Sequence, residues 1–279
     1  SENGAIISAG GAISFGATDR SDANFVVGGG GGGLVGVGAA IGVLNVANNA
    51  RAAAGGTLEA GGGIIVNGEL REHIDQHSFA FGGGFVGLGA AVSVMTVNST
   101  NQAYIADYAT VNNAASLGIT AATVQDFSAL TIGAEGGVVA IGASFSRIAV
   151  GNANVLDTYA GIGVGVSIGQ GGGHVGDITI RATSHVFVDM NTYAVAGGIG
   201  AGTFNFAIAD ITPDVHAATG DGSHISSAGS VGVYAGTDQN ANTHVFSLSV
   251  GGVAAGVSLA HATINPDVAA TVGGEMNVA

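Results

Sequence analysis

The chain has no cysteine, no tryptophan and no lysine, and only 2 prolines in 279 residues. Without cysteine there is neither a disulfide framework nor a thiolate metal site. Charged residues make up 9%, against about 25% in ordinary globular domains. The five basic residues are all arginine (Arg20, Arg51, Arg71, Arg147, Arg181), and the formal net charge is −14. A cationic footprint for nucleic acid or an anionic lipid surface is therefore missing. Aromatics are 6%, too few for the girdles of an outer-membrane β-barrel. The first residues, Ser1-Glu2-Asn3-Gly4, show no cationic or apolar signal-peptide region, so any export signal is expected outside this chain.

Glycine and apolar residues are what the chain does have: 52 glycines and 47% hydrophobic residues. Gly plus Pro stays below the roughly 25–30% that marks low-complexity disorder. Phe25 to Ala50 carries no charge and is long enough for a transmembrane helix, yet it holds the run Gly28 to Gly33. Its later counterparts place Ser, Thr and Asn at alternate positions, which is a strand pattern, so no membrane-spanning helix is expected.

Internal repetition is the strongest signal. The segment Val37–Val46 recurs as Leu88–Val97 and as Ile141–Val150, and shorter versions follow at Phe204–Ile211 and Val257–Ile264. Their last apolar residues, Val46, Val97, Val150, Ile211 and Ile264, lie 51, 53, 61 and 53 residues apart. Each copy runs into turn chemistry: Asn48-Asn49, Asn98-Ser99, Gly151-Asn152, Pro213-Asp214, Pro266-Asp267. A second motif, Gly4 through Asp19, matches Ser223 through Asp238 at an offset of 219, with weaker versions at Leu58 to Asp75 and Val111 to Asp126. The recurring Asp19, Asp75, Asp126 and Asp238 are expected at one solvent corner.

These observations predict an all-β fold, a Gly/Ala-rich parallel β-solenoid of about five repeats of about 54 residues. The whole chain, 1–279, is one solenoid. The end of a repeat spans 1–23, full repeats span 24–75, 76–127, 128–191 and 192–242, and a further repeat starts at 243–279. Two strand-rich halves with different motifs point to two coils of about 27 residues per repeat rather than one wide coil. In Ala91–Val97 the apolar residues are expected inside, with Ser93 and Thr96 facing out. The 61-residue interval is expected to hold an insertion from Gly161 to Gly173, as a looped-out hairpin or an added strand. Val278 is expected opposite Ile225 and Ile6, so the chain leaves in the repeat phase in which it enters. Without polar capping units, it is expected to be a piece of a longer array or a subunit that stacks on itself end to end.

The run Phe85–Val94, followed by Val97-Asn98-Ser99-Thr100 and Ala103-Tyr104-Ile105, resembles the repeats of very large bacterial filamentous adhesins, the leukotoxin-type filamentous adhesins among them. Ala109–Asn112 and Ile225–Gly229 are similar to that family's second motif. The resemblance implies secretion, display at the cell surface, a β-solenoid stalk and no catalytic residues. Host or neighbouring-cell glycans are the surface partners that such a role suggests.

No catalytic, cofactor-binding or metal-binding residue is assigned from the sequence. In a strand, His73, Asp75 and His77 would share a face as metal ligands do, but nothing else converges on them, and Arg71–His77 is read as a solvated corner. His174, His185, His216, His224, His244 and His261 are isolated in sequence. A structural calcium ion at the aspartate corners is conceivable, although the repeat Gly-Gly-x-Gly-x-Asp is absent. The glycine runs lack the Gly-Lys-Ser/Thr of a nucleotide loop, and the five tyrosines form no evident stacking platform. A carbohydrate-binding or carbohydrate-degrading β-helix is the competing reading, against which the missing lysine counts.

Overall fold

In a parallel solenoid each strand pairs with its counterpart one turn away, so repetition itself satisfies the backbone hydrogen bonds. The computed structural model describes residues 4–151 and 156–278 and has this architecture: 83% strand, with no helix among the described residues. The strands are β1 (Ile6–Ala9), β2 (Ile13–Val46), β3 (Asn49–Ala54), β4 (Thr57–Ala60), β5 (Ile64–Val97), β6 (Thr100–Ile105), β7 (Thr110–Val150), β8 (Thr158–Ile162), β9 (Ser167–Ile168), β10 (His174–Gly197), β11 (Gly200–Ile211), β12 (Asp214–Thr219), β13 (His224–Ser227), β14 (Val231–Val250), β15 (Val253–Ile264), β16 (Asp267–Val272) and β17 (Glu275–Val278). Every described pairing is parallel.

Val46 pairs with Val97, Val97 with Val150, Val150 with Ile211, and Ile211 with Ile264. Since these partners are one full repeat apart, each repeat is a single wide coil. The expected division into two coils of about 27 residues is wrong. The two halves of a repeat differ because they form opposite walls of the same turn.

Each coil starts with a short strand (β4 in the second coil). A long first arm then follows (Ile64–Gly82), turns back near Gly83-Gly84, and returns as a second arm (Phe85–Val97). The corner at Asn98-Ser99 leads into β6, which closes the coil. The strands β3, β6, β8, β12 and β16 stack as a separate five-stranded sheet. β1, β4, the start of β7, β9, β13 and β17 also form one column, so the chain ends in the column where it began.

Within that column the register differs from the expected one. Ile6 aligns through Thr57, Thr110 and Ser167 with His224, which makes the offset 218, not 219. Val278 pairs with Ser227 and Met276 with Ile225. A slip of one residue exchanges the two faces of a strand, and adjacent isoleucines at 6 and 7 leave a gap-free sequence match unable to detect it.

The 61-residue interval contains neither a hairpin nor an added strand among the described residues. The partner offset is 57 at Thr158–Ile162 and becomes 61 at His174. Gly161 and Ile162 are therefore in register in β8, and the later lengthening is absorbed at Gly169–Gly173. The earlier part falls between Val150 and Thr158, partly outside the described residues, as does Asn152 of the third corner.

The interior changes character along the arms. Where the short strand, the first arm and β6 enclose a triangle, Leu58, Ile64, Val66, Ile105, Leu117 and Ile119 fill it. Farther out, Ile74, Phe127, Met95, Ile148 and Met190 pack between the two arms. Beyond them the buried apolar residues, among those described, are alanines: Ala40, Ala80, Ala91, Ala140, Ala194, Ala196 and Ala201. At the turn the walls nearly touch. A Cβ built on Gly29 would lie 1.8 Å from the Ala39 carbonyl oxygen, and one on Gly133 would lie 2.3 Å from that of Ala143. The cross-section tapers from a wide body to a thin wedge.

Candidate functional site

Strand alternation divides Arg71–His77 between two faces. Arg71, His73, Asp75 and His77 point outward, while Glu72, Ile74 and Gln76 are buried. On the outward face Glu69 bridges two stacked arginines, with Arg20 Nη2 at 3.3 Å and Arg71 Nε at 2.5 Å from Glu69 Oε1. These guanidinium groups hold the Glu69 carboxyl below its ordinary value, the Arg71 hydrogen bond contributing most. His73 Nδ1 lies 3.3 Å from Asp126 Oδ2, and its Nε2 lies 3.6 Å from Asp75 Oδ2. His185 Nδ1 lies 3.2 Å from Asp238 Oδ2 farther along the axis. His77 stands apart from this group, with its ring stacked 6.2 Å from that of Phe79. His73, Asp75 and His77 thus share the outward face as strand alternation predicts, but His77 stays out of the ion pairs and Asp126 joins them.

The four recurring aspartates do not share one column. Asp238 aligns with Arg71, Asp126 with His73, and Asp75 stands two residues on, so these three line one outward face at alternate positions. Asp19 aligns with the buried Leu70 and faces the interior side of the first coil, as the corrected register requires.

Inside the same stretch Glu72 is a fully partnered buried carboxylate. Its Oε1 accepts from Asn48 Nδ2 at 2.6 Å and Ser99 Oγ at 2.5 Å, and its Oε2 accepts from Gln125 Nε2 at 2.7 Å. These donors come from three successive coils, so this one side chain ties three layers together. Asn101 adds a parallel link, donating to the Ala122 carbonyl at 2.8 Å. Sequence reading missed both residues; the signal was a polar residue in the inward phase of its strand, between outward-facing neighbours.

Among the described residues, metal-ligating atoms converge closely enough for one ion at Asp214, His216 and Asp267, all within 4.8 Å of one another. The Pro-Asp corners of the fourth and fifth coils stack Asp214 on Asp267. His216 Nε2 lies 2.7 Å from Asp214 Oδ1 and 3.8 Å from Asp267 Oδ2. Burial raises the Asp214 carboxyl above its ordinary value, and Asp267 raises it further while His216 opposes both. Two carboxylates and an imidazole suit a borderline divalent ion better than calcium, whose ligands are oxygens. Two tyrosines also meet: Tyr104 and Tyr159 pack with ring centroids 6.4 Å apart, and Arg51 sits 5.1 Å over Tyr104.

The outer surface of the wedge inverts the usual pattern. In the second arm Ala91, Ser93, Met95 and Val97 point inward while Val92, Val94 and Thr96 point outward, the reverse of the expected placement for Val92, Ser93 and Val94. Close walls exclude the larger aliphatic and aromatic side chains, so small and hydroxyl residues take the inside. Ser78, Ser93, Thr131, Ser146 and Thr192 are fully buried there. Glu135 is inserted between Gly82 and Gly89 of the neighbouring coil. Burial pushes its carboxyl up to about 7, against a weaker opposing pull from the Gly82 amide.

Compared with protein-family models, with curated proteins and with solved structures, the chain matches none. The reading of its role therefore rests on geometry and sequence.

Proposed function

We propose that this chain is a structural, adhesive segment of an extracellular bacterial filament, lengthened along the solenoid axis by further coils, in the same chain or in another copy. The observation that carries this reading is the in-register ladder that runs through all five coils and leaves a parallel strand edge unpaired at each end. Among the described residues β2 pairs only with β5, and β14 and β15 pair only with β10 and β11. Edges of this length are templates for further strand pairing. Five layers at about 4.8 Å amount to about 24 Å along the axis, while the first arm alone has a contour of about 60 Å. One copy is a slab, and only continuation makes a rod.

Negative-stain electron microscopy of concentrated protein tests this. Fibres with a 4.8 Å axial repeat in their diffraction are expected; slabs that stay single at every concentration, together with hydrolysis of a polysaccharide panel, would refute it. Surface-display partners such as glycans are a second reading, favoured by the flat outward face that combines Arg71, His73, Asp126, His185, Phe187 and Asn240. A glycan array that binds wild type and loses signal with His73→Ala and Arg71→Ala would support that reading.

A further inference from the structure

We infer that the tapered edge of the solenoid is a lipid-inserting wedge, whose outer surface is built for the acyl phase of a bilayer. Five stretches form it, one per coil: residues 28–41, 79–92, 132–145, 193–206 and 246–259. Their only charged residue is Glu135, which points inward. Among the described residues, the Tyr193 hydroxyl is the one polar group on an outward side chain of these stretches. Leu34, Phe81, Phe85, Ile141, Phe204 and Val257 are all 40% exposed or more. These positions cover the end of the first arm, the turn and the second arm, so the apolar surface surrounds the wedge on three sides. A soluble monomer rarely exposes a contiguous apolar patch of more than a few hundred Å².

The interior is the independent observation. Where the solenoid body packs Leu, Ile, Val and Met inside and sets Glu69, Arg71, His73 and Asp75 outside, the wedge interior is mostly Gly and Ala, joined by Glu135, Ser144, Thr203 and Asn205, and Val, Leu, Ile and Phe turn outward. Large apolar side chains turned outward over a small or polar interior is the alternation of strands whose surroundings are hydrocarbon. The inversion runs through these stretches and one residue beyond them, to Ser78, Ser93, Thr131, Ser146 and Thr192. A second copy laid against one flat face would cover one arm and leave the turn and the other arm in water. An acyl phase covers all three sides.

Backbone chemistry agrees. In the middle coils both arms of the wedge pair on both sides, and the ladder is interrupted only at the turn, around Phe85, Val138 and Gly198–Ile199. Insertion of the outermost coils rests on the axial continuation proposed above, which would pair their free edges; insertion of the central ones does not. About six residues separate the level of Phe79 from the turn, giving a depth of about 20 Å, less than the about 30 Å of a hydrocarbon core. The wedge enters from one side without crossing. With a net charge of −14 the chain suits zwitterionic rather than anionic lipid.

The absence of tryptophan allows a single reporter. Val138→Trp places it at the turn of the third coil, and Val124→Trp places it on the outward face of the body. With phosphatidylcholine vesicles brominated on the acyl chains, the 138 reporter is expected to lose at least half its emission and the 124 reporter to keep its own. Vesicle flotation of the otherwise wild-type chain is expected, with at least a tenfold loss in Phe85→Asp. This outer-surface change leaves the ladder intact, which far-ultraviolet circular dichroism verifies. Absence of flotation, equal quenching at both positions, or a lipid-free dimer that Phe85→Asp dissolves would each overturn the inference, the last by assigning the wedge to a second copy. None of these results bears on fibre formation, so the two readings fail separately.

Discussion

Glu72 and Glu135 are both buried carboxylates, and their surroundings give them opposite roles. Glu72 has three neutral donors around it, so removing it strands Asn48, Ser99 and Gln125. Glu72→Ala is expected to cost about 2–4 kcal/mol in urea unfolding, and Glu72→Gln less, because the amide keeps one acceptor. Glu135 sits between glycines with its carboxyl raised to about 7. Its neutral form is the one the fold tolerates, so the folded state binds the proton more tightly than the unfolded chain does. Stability from this residue is full below about 4.5, falls as pH rises towards about 7, and is level above that. Glu135→Gln is expected to match wild type at pH 4 and to exceed it by about 1–3 kcal/mol at pH 8. Equal stability of the two proteins at both pH values would show that Glu135 is solvated.

At the level of the strand, the taper decides which residues fit. In Gly133→Ala the added methyl would meet a backbone carbonyl that cannot rotate away. A loss of about 1–3 kcal/mol is expected, with faster amide exchange at the turn of the third coil. Unchanged exchange there would mean that the walls stand farther apart.

The sequence shows the repeat because equivalent positions in every coil carry like residues, as Val46, Val97 and Val150 do. It hides the coil count, because the two halves of a turn face different neighbours and share no motif. The inverted wedge was hidden for a related reason. Alternation of Val with Ser states that two faces differ, and the spacing between opposing walls decides which face is inside. Glycine at 82, 89, 133 and 142 carried that information, but it becomes readable only when the arms are known to face each other. The Asp214, His216 and Asp267 group needs the coil-to-coil register as well, since the third ligand arrives from another turn.

For the whole molecule, one coil per repeat fixes how function can scale. Each added repeat contributes about 4.8 Å of length, one more row of polar body surface and one more row of apolar wedge. Binding along such an edge would therefore accumulate with repeat number. The most direct measurement uses the column Asp22, His73, Asp126, Phe187, Asn240, whose members sit on successive coils. Because the chain has no cysteine, Asp22→Cys and Asn240→Cys can be labelled cleanly for pulsed electron spin resonance. Four layers predict a narrow distance distribution near about 19 Å, broadened only by the label arms. A distribution near about 38 Å, as two coils per repeat would give, or one without a defined maximum, would contradict the account.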